Sequence, residues 1–321
     1  MLTWTGHGRL YPSADAGRTD PGAGFAALPF AMPLGERRYR VFHSRRDAAQ
    51  RSHIHACTLD AAALRVVPGS GTGEPLLAPG ALGAFDDCGC TMSCVVETPG
   101  RIWLYYTGWT LGQSVPFHWA IGLATSDDGG RSFTRHSAAP LLGRHRVDPF
   151  ACASPFVLVE DGRWRMWYLS MVAWEGGDGS PLRHRYLIKY AESRDGLRWR
   201  RDGRVCIGFR DDGEYAFGRP CVIRTRTGYA MWYCSRGDRY RLGYAESDDG
   251  LAWRRKAPLI EPPPSVGFDD AMQAYPMVVR DDDRLLMLYN GNGYGATGFG
   301  CATSPLDDRK LDPRATDPRP E

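Results

Sequence analysis

The sequence lacks any long hydrophobic run. Although 43% of its 321 residues are hydrophobic, no stretch approaches the roughly 18 consecutive apolar residues that indicate a transmembrane helix. Its first residues, MLTWTGHGRLYP, do not contain the apolar core of a signal peptide. Blocks of one charge are also missing, because 40 basic and 37 acidic residues are interleaved and leave a net charge of +3. We therefore expect a cytoplasmic protein with no nucleic-acid partner and no membrane partner.

A disulfide framework is absent as well. The nine cysteines are odd in number and scattered, unlike those of a small secreted domain. Cys88, Cys90 and Cys94 are close enough in sequence to ligate a metal, but no second pair and no nearby histidine completes such a site. We therefore interpret the cysteines as buried free thiols, with Cys94 and Cys221 at repeated core positions, and we expect neither a metal nor a cofactor.

An internal repeat is the strongest feature of the sequence. Two anchor positions 15 residues apart recur at Pro29/Ser44, Ser93/Gly108, Pro155/Ser170, Pro220/Ser235 and Pro276/Gly291. The steps between successive first anchors are 64, 62, 65 and 56 residues (93−29, 155−93, 220−155, 276−220). A period of this size indicates a repeat architecture, in which each unit buries its apolar face against its neighbours.

Each repeat has the pattern of four antiparallel strands, since apolar and aromatic residues alternate and no amphipathic helical period occurs. In the third repeat the predicted strands are 153–160, 163–170, 186–192 and 197–201. Five such units predict an all-β fold, a single five-bladed β-propeller over residues 1–306. The predicted blades are about 20–62, 84–136, 146–202, 212–256 and 266–304. Residues 2–10 are expected to pair with the last blade and close the ring, and residues 307–321 to form a poorly ordered tail.

A shared turn follows the third strand of three repeats. It reads SDDGGRSF from Ser126, SRDGLRW from Ser193 and SDDGLAW from Ser247. An Asp in such a turn accepts bonds from backbone N–H groups, and a Gly takes the positive φ. We therefore predict structural turns rather than calcium or phosphate loops. The aromatic residues that follow are expected to fill the gaps between neighbouring blades: Phe133, Trp199 and Trp253.

Acidic residues precede the first anchor of four repeats by six or seven positions. They are Asp86 and Asp87, Asp148, Glu214, and Asp269 with Asp270. The first repeat has Gly22 and Ala23 at these positions. Because inner strands of a propeller begin at one mouth of its channel, these carboxylates are expected to meet there. They form either a functional cluster, as a pair of acids would for cleaving a glycosidic bond, or a structural ring.

Other side chains near the predicted mouth are candidates for substrate binding. The cations are Arg219, Lys189, Arg46 and Arg236, although Arg219 has the alternative role of orienting Glu214. The aromatic candidates for stacking on a sugar are Trp109, Phe117, Trp174, Tyr275 and Tyr294. His118 is a candidate proton donor, and Asn292 lies in a glycine-rich loop whose amides suit hydroxyl groups.

Several motifs carry a resemblance to a known family. They are FDDCG from Phe85, YYTGW from Tyr105, VPFHWAIGLA from Val115, DPFACASP from Asp148, IKYAES from Ile188, EYAFGRP from Glu214, LGYAESDDGLAW from Leu242 and YNGNGYGATGFG from Tyr289. Over about residues 25–303 the chain resembles the five-bladed glycoside hydrolases of families 32, 43 and 68. It is most similar to bacterial glycosidase-like propellers that resemble the N-terminal domain of glucosamine inositolphosphorylceramide transferase.

This resemblance implies roles for two acids and also shows departures. It implies that Asp148 stabilises the transition state and that Glu214 is the general acid. The hydrolases take a further Asp from blade one, where this chain has none. The closer group usually has His and Gln where Phe25 and Ala27 stand, and tends to have Glu at Ala271.

The predicted function is that of a carbohydrate-active enzyme. We expect it to act at the anomeric centre of a sugar or glycosylated small molecule, with Glu214 and Asp148 as above and Asp86, Asp269 or Asp270 as the second carboxylate. The missing blade-one Asp favours transfer or a biosynthetic reaction over simple hydrolysis. The alternatives are a non-catalytic carbohydrate-binding propeller and a protein-interaction propeller. Catalysis predicts two carboxyls facing each other across one pocket, whereas binding alone predicts carboxyls held in salt bridges.

Overall fold

The computed structural model describes residues 3–12, 24–177, 179–210, 213–256 and 264–306. Nearly all regular structure in these residues is β-strand, with one short helical turn, α1 (Asn292–Gly295). The predicted tail, 307–321, and the first residues of the first predicted blade, 20–23, lie outside the described residues. Within the described ranges no helix is long and apolar enough to cross a membrane.

In chain order, the strands are β1 (Thr5–Tyr11), β2 (Gly24–Gly35), β3 (Arg38–Arg46), β4 (Ser52–Asp60), β5 (Arg65–Val66), β6 (Gly89–Thr98), β7 (Arg101–Leu111), β8 (Phe117–Ser126), β9 (Thr134–Arg135), β10 (Ala151–Glu160), β11 (Arg163–Gly177), β12 (Ser180–Ser193), β13 (Val205–Ile207), β14 (Ala216–Thr225), β15 (Gly228–Arg236), β16 (Tyr240–Ser247), β17 (Arg254–Arg255), β18 (Ala274–Asp281), β19 (Arg284–Asn290) and β20 (Phe299–Pro305).

Antiparallel pairing groups these strands by fours. Unit 1 contains β2 to β5, unit 2 β6 to β9, unit 3 β10 to β13, unit 4 β14 to β17, and unit 5 β18 to β20 with β1. A single parallel bridge, Ser52 to Gly89, joins units 1 and 2, and another, Tyr186 to Ala216, joins units 3 and 4. Hydrogen bonding therefore defines two sheets of eight strands and one of four.

The first strands of the units pack side by side. Each one contacts the first strand of the next unit, and β18 of unit 5 contacts β2 of unit 1. Asn290 reinforces this last contact, because its side chain accepts a bond from Leu28 N (2.7 Å) and donates one to Ala26 O (2.7 Å). Units at the two ends of the described chain are thereby joined.

The N-terminal strand pairs with the C-terminal unit. β1 runs antiparallel to β20, with Thr5 opposite Thr303, so the chain supplies the fourth strand of unit 5 from its other end. This pairing was predicted for residues 2–10 and is confirmed for 5–11.

In unit 3 the first three predicted strands are confirmed, and β11 and β12 extend well beyond them. The fourth prediction, 197–201, is confirmed only at Arg200, which forms an antiparallel bridge with Glu192 of β12, and the fourth strand of the unit is β13. Residues after the turn bond locally instead: Leu197 N and Arg198 N donate to the Asp195 carboxylate at 2.9 and 2.8 Å. These bonds take up the backbone donors that a strand ladder would use.

The shared turns behave as predicted. The Asp that accepts backbone N–H groups is Asp128, Asp195 or Asp249, and each turn has a glycine with φ between 72° and 78°. The aromatic that follows packs on a ring of the preceding unit at 5.9–6.2 Å: Phe133 on Phe42, Trp199 on Tyr105 and Trp253 on Trp167. Each turn therefore fastens one unit to the one before it.

The cysteines are free, and all are buried except the half-buried Cys88. Cys94 and Cys221 lie in the core between first strands, where their sulfurs accept bonds from Val157 N (3.3 Å) and Val278 N (3.2 Å) of the next unit. Burial raises the pKa of the Cys94 thiol to about 12, so it stays protonated at neutral pH. In the described part of the chain, no three His, Cys, Asp or Glu side chains are placed to hold a metal ion.

Candidate functional site

The acids predicted at the mouth are held inside their own units. In three units a tyrosine of the second strand, 20 residues after the acid, donates to it: Tyr106 to Asp86 (2.9 Å), Tyr168 to Asp148 (3.0 Å) and Tyr289 to Asp269 (2.9 Å). These three acids are buried, with at most 2% exposure. The equal offset follows from the repeat, because acid and tyrosine keep one register in these three units.

Cationic or amide side chains complete the same clusters. They are Arg135 on Asp86 (2.9 Å), Arg201 on Asp148 (3.0 Å), Arg255 on Glu214 (2.6 Å) and Gln273 on Asp269 (2.7 Å). We call Asp86–Tyr106–Arg135, Asp148–Tyr168–Arg201, Glu214–Tyr233–Arg255 and Asp269–Tyr289–Gln273 the carboxylate sets. Each set binds the segment before a first strand to later parts of the same unit. In the Glu214 set the tyrosine bonds to Arg255 (2.8 Å) and not to the acid, and Asp86 Oδ1 has no partner among the described residues. Removing one partner of such a buried pair destabilises a fold, since it leaves the other without compensation.

Glu214 is the least enclosed acid of the carboxylate sets, at 9% exposure. Burial alone would raise its pKa, but the hydrogen bonds and charge of Arg255, at 2.6 and 2.7 Å, outweigh burial. The net result is a pKa below the ordinary value, so the carboxyl is ionised at neutral pH. An ionised Glu214 cannot donate a proton, which argues against the general-acid role implied by the resemblance.

Two predicted cations have bonding partners that the sequence did not indicate. Lys189 is buried in unit 3, where it donates to Val147 O and lies 3.5 Å from Asp148. It therefore belongs with a carboxylate set and not with an open pocket. Arg219 does not bind Glu214, because Arg255 has that role. Instead, Arg219 spans the centre of the molecule and donates to Pro29 O (2.7 Å) and Ser93 O (3.1 Å) of units 1 and 2.

Bulges interrupt the first strands at the anchor positions. The register of the strand ladder shifts there in every unit, which explains why proline is tolerated at four anchors. In four units the residue just before the anchor has a positive φ: Leu28 (54°), Ser154 (45°), Arg219 (24°) and Tyr275 (58°). A non-glycine residue in this region costs about 1–3 kcal/mol, and such strain clusters at functional sites.

These four bulge residues line one cavity of about 260 Å³. We call it the mouth pocket. Its remaining lining comes from neighbouring strand starts and ends, and consists of Phe25, Ala27, Ser44, Arg46, Ser52, Thr91, Thr107, Trp109, Phe117, Trp119, Ala153, Leu169, Tyr186, Phe217, Gly218, Tyr240 and Tyr294. Aromatic rings and hydroxyl groups dominate. Among these described lining residues the charged ones are Arg46 and Arg219, and none is a carboxylate.

The predicted binding residues divide between the mouth pocket and other places. Arg46, Arg219, Trp109, Tyr275, Phe117 and Tyr294 line it. Arg236 lies beside it, stacked at 5.3–5.5 Å on the rings of Tyr240 and Tyr294. Those that do not line it are Trp174, His118, Lys189, Asn292 and the five acids Asp86, Asp148, Glu214, Asp269 and Asp270.

Three of these outlying residues have local partners. His118 bonds to Arg144 (2.8 Å), and Trp174 packs on Phe117 (5.1 Å). Asn292 accepts bonds from two backbone N–H groups and donates to Asp270 (2.7 Å). These contacts order loops around the mouth and leave the pocket to aromatic, hydroxyl and guanidinium groups.

Sequence reasoning missed several lining residues, notably Ser154, Thr107, Trp119, Tyr186 and Tyr240. One signal was available for Ser154, because it occupies the same position before its anchor as Arg219. The others depend on which residues of the second and third strands face the bulges. That register could not be read without the strand pairing.

A second cavity, of about 420 Å³, lies at the other ends of the first strands. Its lining is mostly aliphatic, from residues such as Met32, Val157 and Val278. Two of its charged residues, Glu160 and Arg224, pair with each other at 3.4 Å. This composition suits packing across the centre better than recognition of a polar ligand.

Solved structures share this fold. A glycoside hydrolase matches with a TM-score of 0.73 and 18% identity, covering 95% of this chain and 92% of that one. The β-1,2-mannobiose phosphorylase from Listeria innocua matches with a TM-score of 0.70 and 14% identity over 94% of this chain and 95% of its own. A thermostable family-43 glycoside hydrolase matches with a TM-score of 0.66 and 18% identity, covering 97% of this chain and 98% of that one. The fold is therefore shared with these glycoside hydrolases and this phosphorylase, and the predicted resemblance to glycoside hydrolases is confirmed at the level of fold.

Relatives in sequence define the family more narrowly. "Uncharacterized protein MT1551" and "Uncharacterized protein Rv1502", from two strains of Mycobacterium tuberculosis, are 39% and 38% identical to this chain over 307 residues. Each match covers 94% of this chain and 99% of the relative. The chain belongs to the family of these two proteins. No family model matches the sequence.

Proposed function

We propose that the mouth pocket binds a sugar or a glycosylated small molecule. The observation that carries this proposal is the lining itself, in which aromatic rings and hydroxyl groups surround one cavity. Sugars have apolar C–H faces that pack on aromatic rings, and hydroxyl edges that bond to Ser, Thr and Tyr. A volume of about 260 Å³ is just below the range of about 300–1,000 Å³ typical of drug-sized ligands. It suits one sugar ring with a small substituent.

The same proposal includes a closed ring of five blades, with the mouth pocket at one end of the central channel. Contacts between β18 and β2, together with the bonds of Asn290 to unit 1, support closure. Arg219 also supports it, since one side chain of unit 4 reaches carbonyls of units 1 and 2. A ring places one bulge of each unit around a common axis.

Binding without carboxylate catalysis is the favoured form of this function. Cleavage of a glycosidic bond needs two carboxyl groups that flank the bond. In the described residues, however, Asp86, Asp148 and Asp269 are bonded to a tyrosine and to arginine or glutamine, and Glu214 is bonded to Arg255. The lining of the mouth pocket contains none of these acids. The likeness to glycoside hydrolases and to a mannoside phosphorylase supports a sugar ligand, but it is a likeness of fold and does not carry their reactions across.

Turnover at an anomeric centre is the second candidate, and Glu214 is the residue that favours it. Glu214 precedes Phe217, Gly218 and Arg219, which line the mouth pocket, and it is the most exposed acid of the carboxylate sets. As an ionised group it would serve as a base that accepts a proton. Hydrolysis, transfer and a biosynthetic reaction are all compatible with such a base.

A paired binding and turnover screen tests both candidates. The wild type, Glu214→Gln and Trp109→Phe would be incubated with a panel of glycosides, sugar phosphates and nucleosides. Melting temperature reports binding, and mass spectrometry reports products. If the protein only binds sugars, at least one sugar should raise the melting temperatures of wild type and Glu214→Gln by the same amount. The same sugar should raise the melting temperature of Trp109→Phe by less, and no variant should form a product. Product from wild type and none from an equally stable Glu214→Gln would replace binding with catalysis. If no sugar shifts any variant or is converted, both candidates are wrong.

A further inference from the structure

Arg219 combines three unfavourable features at one position. It is 1% exposed, its backbone has a φ of 24°, and its Nε has no hydrogen-bond partner among the described residues. Burial of a charge and of an unpaired donor both oppose folding. A residue with three such costs calls for a compensating interaction or a function.

The fold itself does not require arginine at this position. The equivalent bulge residues of units 1, 3 and 5 are Leu28, Ser154 and Tyr275, which share the positive φ and carry no charge. The two bonds from Arg219 to Pro29 O and Ser93 O connect units, and its guanidinium lies 5.9 Å from the centre of the Phe30 ring. Neither the carbonyls nor the ring carries a negative charge. Burial lowers the pKa of the guanidinium to about 10, so the group is still protonated at neutral pH.

The surroundings of Arg219 add positive charge and no negative charge. Arg46 lines the same pocket and lies 4.5 Å over the ring of Phe25, and Arg236 stacks on two rings of the wall. The arginines of three carboxylate sets have acidic partners, whereas the ion pairs found between described residues include none with Arg46, Arg219 or Arg236. The mouth pocket therefore offers an electropositive, partly dehydrated site.

We infer that the ligand of the mouth pocket is an anionic sugar, whose phosphate or carboxylate group lies against Arg219 while the ring packs on the aromatic wall. This inference rests on the proposed sugar site and adds the charge of the ligand to it. Guanidinium groups bind phosphate and carboxylate through paired N–H donors, and such charge-assisted bonds are about twice as strong as neutral ones. The anion supplies the counter-charge that the protein does not.

Matched pairs of sugars test this inference by isothermal titration calorimetry. The pairs are glucose with glucose 6-phosphate, mannose with mannose 6-phosphate, glucose with glucuronate and galactose with galacturonate, and inorganic phosphate and sulfate are titrated alone. For at least one pair we expect the anionic member to bind about tenfold more tightly or better. Comparing the sugar phosphates with the uronates shows whether the site prefers a phosphate or a carboxylate group.

Three variants assign the preference to its residue. Arg219→Met is expected to remove the preference and leave the affinity for the neutral member within about twofold, since it keeps the length of the side chain without its charge. Arg219→Lys keeps the charge and is expected to keep a reduced preference. Arg46→Met is expected to reduce the preference for the anionic member by less than Arg219→Met does. Because Arg46 is exposed, this variant should fold and remains informative if Arg219→Met does not.

Each outcome bears separately on the sugar site and on the anionic ligand. Equal binding of neutral and anionic members by the wild type overturns the anionic ligand and leaves the sugar site standing. Binding of phosphate or sulfate that Arg219→Met abolishes, with no sugar of either kind bound, overturns the sugar site and leaves the anion site standing. A preference that persists in folded Arg219→Met overturns the assignment to Arg219. No binding of any probe by the wild type overturns both.

Discussion

The carboxylate sets and the mouth pocket treat buried polar groups in opposite ways. In the sets, acids such as Asp148 receive a tyrosine hydroxyl and a cation, so their charge is compensated within one unit. At the pocket, Arg219 has neither a counter-charge nor a partner for its Nε, and its backbone is strained. Compensated groups contribute to stability, whereas uncompensated and strained groups are typical of binding sites. This difference supports our proposal that the bulges, and not the repeated acids, form the binding site.

The largest expected effect is the loss of a carboxylate set. Asp148→Ala would leave Lys189 and Arg201 buried without their acid, so we expect the free energy of unfolding to fall by about 3–5 kcal/mol. Denaturant titration measures it. The control is Asp127→Ala, which breaks an exposed ion pair with Arg101 and should cost less than about 1 kcal/mol. A similar small cost for both variants would mean that the sets are not structural.

The next effect is a pH dependence at Glu214. Because the pKa of this carboxyl is lowered in the folded state, its ionised form adds stability above the unfolded pKa, about 4.3 for Glu, and this contribution is lost as the pH falls through the folded pKa. We expect Glu214→Gln to be less stable than wild type at pH 7 and the difference to shrink below about pH 4. Denaturant titrations at pH 7, 5, 4 and 3 measure it. A constant difference across this range would contradict the lowered pKa.

Changes in the pocket should affect binding rather than stability. Trp109 donates from Nε1 to Ser52 (2.6 Å) and lines the pocket. We expect Trp109→Phe to weaken sugar binding by about threefold to tenfold, in the range of one aromatic contact. Trp174→Phe is the matched change outside the lining and should leave affinity within about twofold. Equal losses in the two variants would place the ligand elsewhere.

The smallest effect has the opposite sign. Ser154→Gly relieves a φ of 45° that glycine adopts freely, so we expect stability to rise by about 0.5–1 kcal/mol. Ala191→Gly, at a buried strand position of the same unit, should instead lower it by a similar amount of about 0.5–1 kcal/mol. Thermal unfolding distinguishes the two. Destabilisation by both would show that the bulge is not strained.

Much of the fold could be predicted from periodicity alone. The 15-residue spacing of the anchors gave the first two strands of every unit, and the Ser-x-Asp-Gly turns gave the aromatic contacts between units. Of the predicted fourth strand of unit 3, only Arg200 pairs with β12, because the N–H groups of Leu197 and Arg198 bond to the Asp195 carboxylate. Position in the repeat predicted that acids recur near one end, but not what they contact, since Arg135, Arg201 and Arg255 lie 41 to 53 residues further along. The lining of the mouth pocket could not be predicted, because it is formed by bulges whose only indication in the sequence is proline at the anchors.

The pairing of β1 with β20 has a consequence for biosynthesis. Thr5 emerges from the ribosome 298 residues before Thr303 (303−5), its opposite residue in the finished sheet. At a translation rate of about 5–20 residues per second, β1 waits roughly 15–60 seconds for its partner. Through that interval β1 is a strand without its native neighbour, and such edges pair readily with other chains. Units 1 to 4 can assemble during synthesis, but unit 5 is completed only after β20 has been made, so nascent-chain protection matters most for β1.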